Sequence, residues 1–379
     1  MPARSTTVGA ATGVTRDTGW ASFAGRVATD AVECVDVRAE PERLATGTWF
    51  VVADFEGPAR AWRFARVDTP EGTAPPAPTP WHGPASDAWV SSMDQAAYEA
   101  AVGRVREHVR DGDVYQANIC RVLSAPLPGA DGREPDARAL AARLAAGNPA
   151  PHAAAVHVPA GSGLDPVWVV SASPELYLSV RPDPRTGGTV VESGPIKGTA
   201  RTSDGLTEKD RAENVMITDL VRNDLQTVCR PGTVEVTSLL AVEEHPGLVH
   251  LVSRVRGTLA DDVVRTGELW RRLLAGTFPP GSVSGAPKSS ALRIIGDLEP
   301  TPRGPYCGAV GWVVDGEASL AVGIRTFWWA DGVLRFGTGA GITWGSDPTA
   351  EWHETELKAE RLVGLASGPV SDPATTVEV

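Results

Sequence analysis

Lysine is rare in this chain: among 35 Lys+Arg only Lys197, Lys209, Lys288 and Lys358 are lysines. Lys197 sits in Val190-Val-Glu-Ser-Gly-Pro-Ile-Lys-Gly-Thr199, between a proline-stiffened turn and a small Gly-Thr pair. An ammonium on a flexible stem is the basic group that burial can turn into a nucleophilic amine, so Lys197 is a candidate for covalent chemistry. The plainer alternative is a solvated lysine at a strand end.

Carboxylates suggest a second chemistry. Thr207-x-x-Asp210 caps a helix running to about Thr227, on which Asp210 and Glu213 share a face with Ile217 and Leu220. Ser346-Asp-Pro348 starts another helix, on which Glu351, Glu354 and Lys358 line up. Each acidic pair alone reads as a surface feature. Two pairs in one acidic protein suggest a site for a hard divalent cation, and oxygen donors with room for waters and substrate oxygens suit Mg²⁺. Glu175, in Ser171-Ala-Ser-Pro-Glu175, is either a turn residue or a site acid. In Val114-Tyr-Gln-Ala-Asn-Ile-Cys-Arg-Val122, strand alternation puts Gln116 and Asn118 on one face, and a polar ligand pocket is one way to satisfy two buried amides.

These residues need elements to hold them. A helix follows a capping box at Ser92-x-x-Gln95, buries Tyr98, Ala101, Val102, Val105 and Val109, and stops at Gly112. Pro135 to Ala146 forms a short helix, with strands expected at 153–158, 167–172 and 175–180. The loop Gly276 to Lys288 leads to a helix with Pro287 in its first turn, and its free amides could hold an anion. Strands at 306–314, 318–329 and 333–338 form a meander through type I′ turns at Asp315-Gly316 and Asp331-Gly332. It ends at Gly337-Thr-Gly-Ala-Gly341, where backbone can approach a ligand closely. Strands around Thr48–Ala53 and Ala61–Phe64 precede a proline-rich linker at 68–84, dividing a short N-terminal region (1–84) from a catalytic domain (85–370). Residues 1 to about 18 read as loosely attached. Antiparallel strands alternating with helices, without regular βαβ units, predict an α+β fold.

The chain has 379 residues, 42% of them hydrophobic, enough for a large core. A net charge of −12 argues against nucleic acid and anionic membranes as partners. Cys34, Cys120, Cys229 and Cys307 show no C-x-x-C pairing, which predicts neither a zinc site nor a disulfide framework. With no signal peptide or apolar span, a soluble cytoplasmic protein is expected.

From about Ser91 to Gly364 the chain resembles the chorismate-utilising enzymes: anthranilate, aminodeoxychorismate, isochorismate and salicylate synthases. The resemblance rests on Asp113 to Asn118, Ser173-Pro-Glu175, Pro195-Ile-Lys-Gly-Thr199, Asp210-Arg-Ala-Glu-Asn214, Asp219 to Asp224, Val249-His-Leu-Val-Ser253, Gly281 to Lys288, Tyr306-Cys-Gly308, Ile324-Arg-Thr326 and Gly339 to Lys358, all in the family's order. Pro-Ile-Lys-Gly-Thr is similar to the aminodeoxychorismate branch, where anthranilate synthases usually carry alanine for the lysine. The resemblance implies two curved antiparallel sheets packed as a two-lobed sandwich, with helices outside and chorismate in the cleft. It implies Mg²⁺ on Glu213 and Glu354, supported by Asp210 and Glu351. Tyr306 and Arg325 would hold the enolpyruvyl carboxylate with the backbone of Gly339 and Gly341, Lys358 would sit near the metal-bound carboxylate, and Thr199 and His250 would line the ring. Lys197 would be the nucleophile and Glu175 the general acid/base. Gln116 stands where water-adding members carry a lysine base.

The implied reaction is amination of chorismate at C4, whose product serves either para-aminobenzoate and folate synthesis or an aminated secondary metabolite. The alternatives are an anthranilate synthase large subunit and a non-catalytic paralogue that scaffolds a glutaminase, and no functional residue is missing to favour the latter. None of the cysteines lies in a Gly-x-Cys-x-Gly setting, so ammonia is expected from a separate glutamine amidotransferase subunit. The Leu-Leu-Glu-Ser-type element of tryptophan-regulated relatives is not found. The glycine loop reads Phe-Pro-Pro-Gly-Ser-Val-Ser-Gly where relatives usually have Phe-Pro-Gly-Gly-Ser-Ile-Thr-Gly.

Overall fold

Among the described residues, eighteen strands, some alternating and some almost wholly apolar such as Thr48–Ala53, join into one connected antiparallel network. The computed structural model describes residues 18–68, 80–130, 132–200, 202–245, 248–264 and 267–368. The N-terminal tail and most of the proline-rich linker therefore lie outside the described residues. Helices pack against the strands, as an α+β fold requires.

The strand Gln116–Pro126 is the spine of the site. It pairs with Val333–Ile342 continuously from Pro126↔Val333 to Ala117↔Ile342, and with the short strand Gly285–Ala286 near Gln116. Helix Gln95–Arg110 covers it and buries Tyr98, Ala101, Val102 and Val105 on the expected stripe. Its cap, however, is Asp94, whose carboxylate accepts from Ala97 N at 2.8 Å. Ser92 instead accepts from Val122 N at 3.0 Å, so the expected Ser92 capping box is replaced by an Asp94 cap two residues on.

The strand Ile196–Ala200 pairs with Leu248–Thr258, and its register shifts between Ile196 and Thr199. Gly198 takes a φ of +84° inside that irregularity, and a Cβ there would lie 2.8 Å from Cβ of Asp210. Glycine thus lets the lysine strand lie directly on the first turn of helix Glu208–Gln226.

Both hairpin turns are as predicted, with φ of +48° and +85° at Asp315 and Gly316 and +54° and +74° at Asp331 and Gly332. The strand expected at 318–329 is broken. Glu317–Val322 pairs with Leu176–Pro182, while Thr326–Ala330 pairs with Val167–Ser173. Between the two, Arg325 adopts a φ of +53°. Two different partner strands pull the run apart, which its apolar composition does not reveal.

The strands ahead of the linker enter the same network: Trp20–Phe23 pairs with His152–Val158, and Thr48–Ala53 with Ala309–Val314. Hydrogen bonds thus tie the short N-terminal region into the rest of the molecule. The sequence reading also missed the long hairpin of Glu235–His245 and Leu248–Thr258 and the helix Leu269–Thr277. All four cysteines are free, though Cys120 and Cys307 meet in the interior. Among the described residues no helix is long and apolar enough to cross a membrane.

Candidate active site

Three segments converge on one point. An ideal Cβ on Gly341 would lie 2.3 Å from Nε2 of Gln116, 3.0 Å from Oδ1 of Asn118 and 3.1 Å from Nζ of Lys197. Only a glycine leaves room for those groups, so the expected close backbone approach at Gly341 is used first by the protein's own polar side chains. Gln116 donates through Nε2 to Oδ1 of Asn118 at 3.2 Å, and Asn118 donates through Nδ2 to the carbonyl of Ser282 at 3.3 Å. Oε1 of Gln116 is buried with no hydrogen-bond partner. Such an orphaned acceptor beside an amine is what a site waiting for a donor from a ligand looks like.

Glu175 lies within reach of the Lys197 charge, in the turn between strands Val167–Ser173 and Leu176–Pro182, and is 3% exposed. Burial pushes its carboxyl up to about 7, against the pull of a Ser282 hydrogen bond, the Lys197 charge and the Ile196 N–H. A carboxyl so placed gives and takes protons near neutrality. Beside it is a void of about 20 Å³, lined by Glu175, Ser193, Asp224, Thr277 and Ser282 among others, with room for about one water-sized molecule.

The carboxylates sit on the facing helices Glu208–Gln226 and Pro348–Ala366. Lys209 bridges Glu213 at 3.7 Å and Glu351 at 3.4 Å, and Lys358 holds Glu354 at 2.6 Å while donating to the Gly339 carbonyl at 3.0 Å. Burial raises the Glu213 carboxyl, with Lys197 and Lys209 opposing and Glu354 and Glu351 adding to the rise. Burial also pushes Glu354 up, but Lys358, with Lys197 and Lys209 behind it, holds its carboxyl below the ordinary value. Asp210 is otherwise engaged: Oδ2 accepts from N and Oγ1 of Thr207 at 2.8 and 2.7 Å, completing a capping box on its own helix.

Among the described residues no three His, Cys, Asp or Glu side chains stand close enough together to hold a metal as they are. The donor set still fits a hard cation. Glu213, Glu351 and Glu354 supply only oxygen, the charges of the other two reach Glu213, and lysine ammonium groups already answer the demand for positive charge.

Arg325 is the remaining cation. Burial alone lowers its pKa, and among the described residues its guanidinium has no hydrogen-bond or ion-pair partner. A mostly buried guanidinium without a counter-ion suits a carboxylate ligand in bidentate contact. Tyr306 packs its ring where a Cβ on Gly337 would be, and its hydroxyl lies 3.8 Å from Sγ of Cys120. Gly339 has Cys120 Sγ 2.5 Å from its ideal Cβ position, so its missing side chain is needed by the core. His250 is buried and pairs through its backbone with Thr199. The Thr199 side chain lies outside the described residues.

Arg303 is the residue sequence reasoning missed. Fully buried, it donates to both oxygens of Glu299 at 2.6 and 2.8 Å, to the Val283 carbonyl at 3.0 Å and to the Asn118 carbonyl at 2.9 Å. Glu299 in turn accepts from Cys120 N at 2.8 Å. One charge pair thereby fixes the Gln116 strand and the Gly281–Val283 turn to each other. At the end of the expected anion loop, Lys288 holds Asp224 at 2.7 Å and the Thr277 carbonyl at 3.0 Å, and Pro287 is the cap residue of helix Lys288–Leu298 rather than part of its first turn.

Comparisons with known proteins give the arrangement a context. Residues 18–364 match the family model described as chorismate binding enzyme. The chain is 39% identical to anthranilate synthase component 1 of Streptomyces coelicolor over 74% of its own length and 53% of that protein. It is 33% identical to aminodeoxychorismate synthase component 1 of Salmonella typhimurium, covering 73% of this chain and 59% of that one. It is 37% identical to aminodeoxychorismate synthase of Streptomyces pristinaespiralis over 69% of this chain and 35% of that protein. The matched stretch thus spans well under two thirds of these relatives. Anthranilate synthase component I of Streptococcus pneumoniae superposes with a TM-score of 0.70 at 20% identity, covering 96% of this chain and 95% of that one. The menaquinone-specific isochorismate synthase of Escherichia coli gives 0.71 at 18%, covering 93% and 90%. At those identities the likeness is one of fold.

Proposed function

The chain belongs to the chorismate-binding enzymes, and on that premise we propose that it aminates chorismate at C4 with ammonia, giving 4-amino-4-deoxychorismate. The observation that carries this reading is the grouping of Lys197 with Glu175, Gln116 and Gly341, an amine and a near-neutral carboxyl against one binding surface. Arg325 receives the enolpyruvyl carboxylate, and the orphaned Oε1 of Gln116 accepts a hydrogen bond from the substrate.

The reaction then divides into two displacements. The neutral amine of Lys197 attacks C2, the ring double bonds shift, and the C4–O bond breaks as Glu175 gives its proton to the departing hydroxyl, releasing water. Ammonia adds at C4, the double bonds shift back, and the C2–N bond breaks to return the Lys197 amine. Glu175, now a carboxylate, takes the surplus proton from the new ammonium. Chorismate and ammonia thus become 4-amino-4-deoxychorismate and water. Mg²⁺ held by Glu213 and Glu354, with Glu351 in support, would neutralise the ring carboxylate as a Lewis acid.

Ammonia comes from a separate glutamine amidotransferase, a reading supported by the name component 1 carried by the relatives. A second reading, amination at C2 with loss of pyruvate, is favoured by the 39% identity to an anthranilate synthase component. Incubation of the chain with chorismate, Mg²⁺ and ammonium, followed by product separation, tests both. 4-Amino-4-deoxychorismate without pyruvate is the expected result, and anthranilate with stoichiometric pyruvate would overturn it. Glutamine alone should give little product.

A further inference from the structure

A second, larger cavity, of about 590 Å³, lies along the chain segment that leads from Phe278 into the void beside Glu175. Its walls come from the loop at Phe55, the helix Leu269–Thr277 with the following Phe278-Pro279, and the helix Lys288–Leu298. Phe55, Leu274, Phe278, Leu292 and Ile295 make those walls apolar, and the volume lies within the range usual for small-molecule sites.

The charges around it are unequally committed. Both oxygens of Glu299 are taken by Arg303, and both oxygens of Glu56 accept from Arg303 N at 3.0 and 3.1 Å. Arg271 is paired with Glu268 at 2.6 Å. Arg38 is different. Its guanidinium carbon lies 5.7 Å from the centroid of Phe278, NH1 donates to the Gly57 carbonyl at 2.8 Å, and among the described residues it has no carboxylate partner. Arg38 is thus the lining cation that no carboxylate among the described residues neutralises, and it stands at an aromatic and aliphatic wall.

We propose that this cavity binds a small aromatic monocarboxylate, ring against Phe278 and Phe55 and carboxylate on Arg38, and that occupancy is felt at the Lys197 site. Cavity and site share walls. Phe278-Pro279 runs on into Pro280 to Ser282, which line the void beside Glu175. Glu299 holds the arginine that fixes the Asn118 and Val283 carbonyls. A ligand that prefers one setting of these walls shifts the population of settings at Asn118 and Ser282 by the same preference. The inference does not depend on which carbon of chorismate is aminated.

The test uses benzoate as probe and benzamide as its uncharged match, by calorimetry on the full chain with saturating chorismate and Mg²⁺ and no ammonium. Two variants locate the site. Gly296 lines the cavity on a helix, and a Cβ there meets nothing within 4 Å, so Gly296→Leu fills the space and favours the helix. Arg38→Gln removes an exposed charge that has only one hydrogen bond to lose. Benzoate should bind saturably with chorismate present and benzamide at least about tenfold more weakly. Arg38→Gln should cost about tenfold, and Gly296→Leu should abolish binding in a protein with unchanged circular dichroism. Benzoate should also alter chorismate turnover in a manner not competitive with chorismate, and the effect should vanish in Gly296→Leu. Displacement by chorismate, equal binding of benzamide, undiminished binding in Gly296→Leu, no saturation by ~10 mM, or unchanged turnover at saturation would each overturn the proposal.

Discussion

The two halves of the candidate site are held by opposite means. Around Lys197 the groups are buried and fixed by backbone: Gly341 leaves the space, Gly198 seats the strand on its helix, and Arg303 locks the neighbouring carbonyls. Around Glu213, Glu351 and Glu354 the groups are joined by lysine ammonium ions on flexible stems, with the Lys209 and Lys358 side chains 54% and 50% exposed. The ammonium side of each pair is screened by solvent, while Glu351 and Glu213 are largely buried. One half is therefore preorganised for a single arrangement, and the other, where the proposed Mg²⁺ would bind, is tied by side-chain charges alone.

Substitutions on the rigid half should do the most damage. Lys197→Ala should keep chorismate binding while lowering C4 amination by about 10³-fold or more, and should divert ammonia to C2. Products separated after reaction with ammonium decide this, and near wild-type formation of 4-amino-4-deoxychorismate would remove the covalent role. Glu175→Gln should lower turnover by about 10²-fold or more and abolish the fall of kcat/KM as pH rises through about 7, measured at constant free ammonia.

The same variant tests burial without catalysis. The folded carboxyl titrates near 7 against an ordinary 4.5, so its neutral form stabilises the fold below pH 4.5 and that contribution is lost as pH rises through 7. Glu175→Gln should accordingly gain about 3 kcal/mol over wild type above pH 7 and nothing at pH 4. Equal unfolding curves at both pH values would mean that burial does not govern this carboxyl.

The half tied by side-chain charges should respond to ions. Glu213→Gln or Glu354→Gln should lower activity by about 10²-fold, partly recovered by raising Mg²⁺, and full turnover in excess chelator would exclude the metal. Lys209→Gln should lower the Mg²⁺ concentration needed for half-maximal activity, because it frees Glu213 and Glu351 of a competing cation. An unaltered Mg²⁺ dependence would mean that Lys209 does not compete for those carboxylates.

Sequence pattern revealed the rigid half better than its supports. Strand alternation placed Gln116 beside Asn118, and a lone lysine after a proline turn marked Lys197. Arg303 left no such mark, because an arginine between prolines and glycines reads as loop, and its partners Glu299, Asn118 and Val283 are brought to it only by tertiary folding. Arg325 was located, but not the break in the strand that presents it, since the apolar run gives no hint of two partner strands. Asp210 shows the converse. Its spacing from Thr207 announced a cap and its helix face announced a ligand, and in the structure the cap holds the carboxylate. Lys209 looks like an ordinary surface partner of Glu213 at i, i+4, and only the neighbouring helix adds Glu351 to make a bridge.

The pairing of Thr48–Ala53 with Ala309–Val314 also sets a timetable. A ribosome adding ~5–20 residues per second takes tens of seconds to travel from one strand to the other. Until then Trp49, Phe50 and Val52, all buried in the finished molecule, emerge on a strand with one edge unpaired. The nascent chain therefore needs either the early hairpin with Ala59–Asp68 or a chaperone to shield them, and the sheet closes only after most of the protein has been made.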